Sequence, residues 1–328
     1  MKNKYLIASF LIIAGSVIYG GCEPHIRRDP VHLLGSYRFD EDSPLASRAS
    51  APPPVVLNYL MKLDNRTDYE PYAPGGNEMK IIESAVASLP PKHTEALKKR
   101  LIGIYFIRNF FGNGLADWVV GPRDTVYTVL VFNSKVFTKN LTELLTEKER
   151  TCFLADNPEY DIHIDCGKKY NGFHYILVHE ATHAVDYVIN MTPYADREYR
   201  DHLKISASET EFTKSIWIGY DSPRVRYSFS KRVFFYGSPK PQLRISESAE
   251  IYKELSRSPF ASLYGSQSWA EDLAELAAFY HITGVLGQPY AITVTRKGKT
   301  AVSVRPMESP EVRKRLPLIQ KFYQEKTL

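Results

Sequence analysis

His179-Glu180-Ala181-Thr182-His183 sets two imidazoles four residues apart with a carboxylate beside the first. On an α-helix that spacing puts His179 and His183 one above the other, so both can reach one ion, while Glu180, turned by about 100°, reaches a water on that ion. Neutral imidazoles hold Zn2+ without cancelling its charge, the ion lowers the pKa of its water to about 7, and the carboxylate can take the proton as the water attacks a carbonyl. The flanks agree with a helix: Phe173-His174-Tyr175-Ile176-Leu177-Val178 precedes the motif and Ala184-Val185-Asp186-Tyr187-Val188-Ile189 follows it, both largely apolar. The bland alternative is an amphipathic helix on which these residues fell by accident. A catalytic zinc takes three protein ligands and keeps one position open, so the chain must supply a third ligand elsewhere.

The best source is Ser268-Trp269-Ala270-Glu271-Asp272-Leu273-Ala274-Glu275-Leu276-Ala277-Ala278-Phe279-Tyr280. Ser268 suits an N-cap, Trp269, Leu273, Leu276 and Tyr280 form an apolar stripe, and Glu271 and Glu275 share the other face. One of the two can ligate zinc while the other accepts a hydrogen bond from a ligating imidazole and fixes its tautomer. A solvated acidic face is the competing explanation.

These features resemble the gluzincin peptidases, the family that includes the catalytic domain of anthrax lethal factor and the secreted Pro-Pro endopeptidases. His179-Glu180-x-x-His183-Ala184-Val185-Asp186 resembles the family's metal helix, Glu271-x-x-Ala274-Glu275 its ligand helix, and Tyr264 precedes Glu271 by seven residues, the family's spacing for a catalytic tyrosine. The resemblance covers about Phe173 to Tyr280 in two pieces and departs from the family in the long segment between His183 and Tyr264. It implies one zinc per chain on His179, His183 and Glu271, with Glu180 as general base and Tyr264 donating a hydrogen bond to the developing oxyanion. Asp186 and Glu275 would support the ligands; Asp186 could instead cap or pair at the surface. In zinc proteases of this type an edge strand beside the metal helix receives the substrate backbone, and Thr125 to Phe132 is the candidate, with a plain core strand as the alternative.

The elements that must position these residues are legible to different degrees. The chain has 328 residues, 44% hydrophobic and 24% charged, with a net charge of +5, which suits a globular protein and excludes disorder throughout. With no phosphate loop or RNA-binding signature beside that modest charge, nucleic acid is not expected as a partner. Met1-Lys2-Asn3-Lys4 and the apolar run from Tyr5 to Ile18 have the form of an export signal, so 1–21 is read as a signal peptide. Tyr19-Gly20-Gly21-Cys22 resembles a bacterial lipobox, with Tyr19 where Leu is usual; ordinary cleavage and an uncut anchor stay open. Cys152 and Cys166 could close a disulfide loop in an oxidising compartment, or be two buried thiols.

Residues 22–54, with Arg27-Arg28, Asp40-Glu41-Asp42 and Pro52-Pro53-Pro54, show little apolar periodicity and read as a flexible tether. From 55 to 328 the composition is that of one domain, with an insertion around 190–260. Helices are predicted near Val55 to Met61, Met79 to Val86, Thr94 to Leu101 and Leu141 to Arg150, the last carrying no obvious chemistry. Strands are predicted at Ile102 to Ile107, Trp118 to Val120, Thr125 to Phe132 and Arg224 to Ser230. Between Asp221 and Glu247 six basic residues occur with no acidic one, which a solvated strand face or a substrate- or membrane-facing hairpin would explain. Ala291 to Thr295 and Ala301 to Val304 read as a hairpin around Gly298, and a C-terminal helix from about Pro310 should close the domain.

The expectation is therefore an α+β, zincin-like metallopeptidase domain acting on a protein or peptide substrate. It would be exported to the bacterial cell envelope and held on a membrane by a lipid on Cys22. The rival class is a non-enzymatic surface lipoprotein with a structural or absent metal that binds a partner. A fourth protein ligand, from His174, His202 or His281, would favour that rival.

Overall fold

Three runs of β-branched and aromatic residues form the centre of the main sheet: β3 (Leu101–Arg108), β4 (Gly114–Val120) and β5 (Val126–Asn133), joined by β1 (Ala49–Ser50) and β2 (Glu70–Tyr72). A computed structural model describes residues 29–237 and 239–324 of this mixed α+β chain. The strand order is β1-β3-β5-β4, with β2 also pairing with β3; β5 runs parallel to β3 and antiparallel to β4. Thr125 to Phe132 is therefore not the edge strand. It lies between two partners, and the outer edge beside the helix that carries His179 and His183 belongs to β4, bridged among the described residues at its far end, where Val120 meets Leu33.

Side chains alternate across the sheet as the strand period of two requires. Ile104, Phe106, Leu130 and Phe132 point into the larger core, and Tyr105, Ile107, Val129 and Val131 into a smaller one on the opposite face. The helices on the chain's path are α1 (Pro54–Leu63), α2 (Gly76–Ala87), α3 (Pro91–Arg100), α4 (Leu141–Arg150), α5 (Phe173–Ile189), α6 (Arg197–Leu203), α7 (Ser248–Leu255) and α8 (Trp269–Tyr280). α5 is buried from Phe173 through Tyr187, as expected of a helix that is apolar nearly all round, and it packs against α8, β4, β5, α3 and α2. It ends at Asn190, which takes the left-handed conformation at φ 55°.

The described part of the expected tether, 29–54, is packed onto the domain. Val31 and Leu45 are buried, and His32 stacks on Trp118 with ring centroids 4.0 Å apart and lies 3.4 Å from Asp117. The guanidinium of Arg48 is buried and donates to the carbonyls of Leu97 and Leu101 and, at 3.0 Å, to that of Lys98. This segment consists of short 3-10 turns and extended stretches, which leave no periodic signature in sequence. The signal peptide and Cys22 lie outside the described residues.

Residues 190–260 also belong to the core. Trp217, Phe212 and Phe229 are fully buried, and the expected strand from Arg224 to Ser230 is instead irregular, a bend followed by coil and a turn; two-residue pairings at Ser222–Pro223 and Leu243–Arg244 flank it. The predicted C-terminal hairpin forms from Ala291–Arg296 and Lys299–Val304, turning through Lys297 and Gly298, both at positive φ. The final helix is broken into Pro310–Arg313 and Leu316–Gln320. Cys152 and Cys166 are free thiols, each fully buried in the larger core, where they fill space as small apolar groups rather than form a bridge.

Candidate metal centre

Two helices meet at the site. The helical rise of α5 brings His179 Nε2 within 3.3 Å of His183 Nε2. α8 starts at Ser268, whose hydroxyl accepts from the Glu271 N–H at 3.2 Å, so Glu271 sits in the first turn, facing α5. Its Oε2 lies 3.1 Å from His179 Nε2 and 3.6 Å from His183 Nε2. One potential donor atom from each of these three buried residues falls within 4.8 Å of the others, and among the described residues they form the one such group of His, Cys, Asp or Glu that could hold an ion.

The residues fit a metal ion on two counts. An ion held tetrahedrally at about 2.0–2.1 Å keeps its ligand atoms roughly 3.3 Å apart, which matches the spacing here. Glu271 is fully buried, and its carboxylate faces the two imidazoles at 3.1 and 3.6 Å. A buried carboxylate is costly unless a cation takes its charge. His174, His202 and His281 do not join the group. His174 lies near Ser84 and the Asn171 carbonyl, His281 near Tyr323 and Ser88, and the His202 ring packs on Trp118.

Glu275, one turn after Glu271, lies behind His179. Its Oε1 is 2.9 Å from His179 Nδ1, a contact that would leave Nε2 free to ligate an ion held between Glu271 and His183. Asp186 accepts from the backbone N–H of Thr192 at 2.9 Å and from its hydroxyl, tying down the segment that leaves α5. Burial pushes the Asp186 carboxyl up to about 6, against those bonds.

Glu180 is buried on the side of α5 that meets β4. Burial raises its pKa and the imidazoles of His179 and His183 pull it back, leaving a carboxylate above its ordinary range. That direction suits a general base at neutral pH. Tyr264 is half-buried in a 3-10 turn, its ring 5.7 Å from that of His179 and edge-on to Phe235 at 5.0 Å. Burial, then the negative charge of Glu271, holds its phenol well above the ordinary value, so the hydroxyl remains a donor.

Several residues of the site carried no motif. Lys148 on α4 donates to Glu275 Oε1 at 3.1 Å, and Tyr175, one turn before His179, donates to the same oxygen. Ser262 donates to Glu275 Oε2 at 2.5 Å. A signal for Lys148 existed: Leu141, Leu144, Leu145 and Lys148 fall on one helical stripe, so the lysine occupies a core-facing position. Tyr236, at a positive φ of 58°, accepts from Asn113 at 3.0 Å and lines a cavity of about 500 Å³ with Phe110, Phe111 and Asn133, next to the start of β4.

α8 is held in place by distant elements. Asp272 receives two bonds from Arg315 at 2.8 and 2.6 Å and one from Trp217 Nε1 at 2.9 Å. Trp269 donates through its indole to the Tyr194 carbonyl at 2.8 Å and through its backbone N–H to the Tyr220 carbonyl at 2.9 Å. Segment 190–260 thus clamps the helix that carries Glu271. Neither a protein-family description, a curated protein nor a solved structure matches the chain.

Proposed function

We propose that this chain is a zinc-dependent endopeptidase with a zincin-like catalytic domain of the gluzincin type. The observation that carries the reading is the triangle of His179 Nε2, His183 Nε2 and Glu271 Oε2, with sides of 3.3, 3.1 and 3.6 Å, built around a fully buried carboxylate. Three protein donors leave a zinc one open position, as catalytic sites require. When bound, the ion would supply Lewis acidity toward a peptide carbonyl and a water of lowered pKa.

The chain's own groups take the remaining tasks. Glu180 accepts the proton of the attacking water and returns it to the leaving amine. Tyr264 donates to the oxygen that gains charge as the carbonyl becomes tetrahedral, a bond worth more there than in the substrate. Glu275 keeps the His179 tautomer fixed. The outer edge of β4 offers backbone groups to an extended peptide, which would lie beside Glu180 as an added strand.

The test is the zinc content of the purified domain together with digestion of a peptide library, in wild type and in Glu180→Gln. Wild type should carry zinc and cleave, whereas the variant should carry zinc and not cleave. A zinc-free wild type, or cleavage unchanged in the variant, would overturn the reading. The proposal extends to export and lipid anchoring on Cys22, supported by the apolar run that ends there. Cys22→Ser should move the mature protein out of the membrane fraction.

A further inference from the structure

Lys148 is buried where its helix stripe calls for an apolar residue, with 6% of its side chain exposed. Its ammonium lies 3.1 Å from Glu275 Oε1, 2.5 Å from Tyr175 Oη and 3.9 Å from the centroid of the Tyr264 ring. The last distance is well inside the roughly 6 Å reach of a cation–π contact. An ammonium has three N–H donors, and a carboxylate, a phenol oxygen and a ring face can take one each.

The partners are themselves connected. Glu275 Oε1 stands 2.9 Å from His179 Nδ1, and Oε2 accepts from Ser262, whose oxygen accepts the Gly265 N–H at 3.0 Å. Glu275 is thereby tied to the backbone beside Tyr264, while Lys148 reaches the Tyr264 ring. One cation touches both the support of a metal ligand and the ring of the oxyanion donor. A positive charge on the face of a phenol also draws electron density from it, which strengthens the hydroxyl as a donor.

We propose that Lys148 is a positioning residue that holds the Glu275 carboxylate against His179 and the Tyr264 ring in its working orientation, coupling metal ligation to oxyanion stabilisation. The inference rests on the peptidase reading above, and its test has one arm that needs no turnover.

In that arm the zinc dissociation constant is measured by chelator competition for wild type, Lys148→Met, Glu275→Gln and the double variant, with thermal melts to establish folding. Loss of an outer partner of a metal ligand typically weakens binding about 10–100-fold, so Lys148→Met should fall in that range and the second substitution should add little. If removing the cation tightens zinc binding, Lys148 acts only as an opposing charge and the proposal fails. It fails equally if the two losses multiply.

The second arm is peptide cleavage. Lys148→Met should lower kcat by about 10²-fold with KM nearly unchanged, and Tyr264→Phe in that background should cost less than about threefold more. A full independent loss from Tyr264→Phe would show that Lys148 does not act through the phenol. Should Lys148→Met not fold, Lys148→Gln, which keeps donor capacity without charge, takes the same measurements. Zinc coupling in a protein that cleaves no peptide would support the link from Lys148 to His179 and reject the peptidase reading.

Discussion

Gly114 and Glu180 approach so closely that a Cβ on the glycine would lie 2.8 Å from Glu180 Cγ and 2.9 Å from its Oε1. The same carbon would meet Ile176 Cγ2 at 2.9 Å, so a side chain there would force Glu180 or Ile176 to shift. The first residue of the edge strand thus sets where the proposed base stands. Gly114→Ala should leave zinc content unchanged and lower kcat by about 10²-fold, the scale of a misplacement of about 1 Å. Wild-type turnover in the alanine variant would mean that Glu180 tolerates displacement or is not the base.

The metal prediction separates ligands from their supports. The purified domain should hold about one zinc per chain, and His183→Ala or Glu271→Ala should lose it. Metal analysis by mass spectrometry reads this directly. Full occupancy in Glu271→Ala would transfer the third ligand to another residue, with Glu275 the nearest alternative.

Chemistry and ligation come apart at Glu180 and Tyr264. Glu180→Gln should keep both zinc and fold while losing about 10²–10⁴-fold in turnover. Tyr264→Phe should lose roughly 10²–10³-fold in kcat with little change in KM, because the hydroxyl acts mainly when the oxyanion forms. Steady-state kinetics on a cleaved library peptide decide it, and an undiminished Tyr264→Phe would remove that residue from the mechanism.

Zinc affinity should depend on pH with a definite sign. Burial opposes a charge on His179, but its contacts with Glu271 and Glu275 outweigh that and raise its pKa to about 10 in the metal-free protein. A raised pKa means a proton held more tightly, and zinc must displace it. From about pH 6 to 8 the apparent zinc dissociation constant should therefore fall about tenfold per unit rise, with one proton released per ion. Calorimetry in buffers of different ionisation enthalpy counts that proton. A flat profile would show that His179 is already neutral.

The pair that anchors α8 should matter for stability more than for chemistry. Asp272 is fully buried and Arg315 nearly so, and removing one member strands the other's charge. Arg315→Met should cost about 3–5 kcal/mol in urea unfolding. A loss under about 1 kcal/mol would mean that the Trp217 contact suffices to hold the carboxylate.

Sequence alone determined what short-range geometry controls. His179 and His183, or Glu271 and Glu275, need only a helix to bring them one turn apart, and the apolar flanks already specify that helix. The cap at Ser268 and the C-terminal hairpin are local in the same sense. Tertiary structure decided the rest, because strand order, burial and long-range pairing leave no periodic trace. The edge position went to β4 rather than to Val126–Asn133, since sheet order depends on which strands find partners. Segment 29–54 packs through isolated contacts such as Arg48 with the carbonyls that end α3. Packing also assigned the two glutamates: α8 docks with Glu271 toward Nε2 of both imidazoles and Glu275 toward Nδ1 of His179. Lys148 joins them from 127 residues away in the chain, a distance that only the folded core closes.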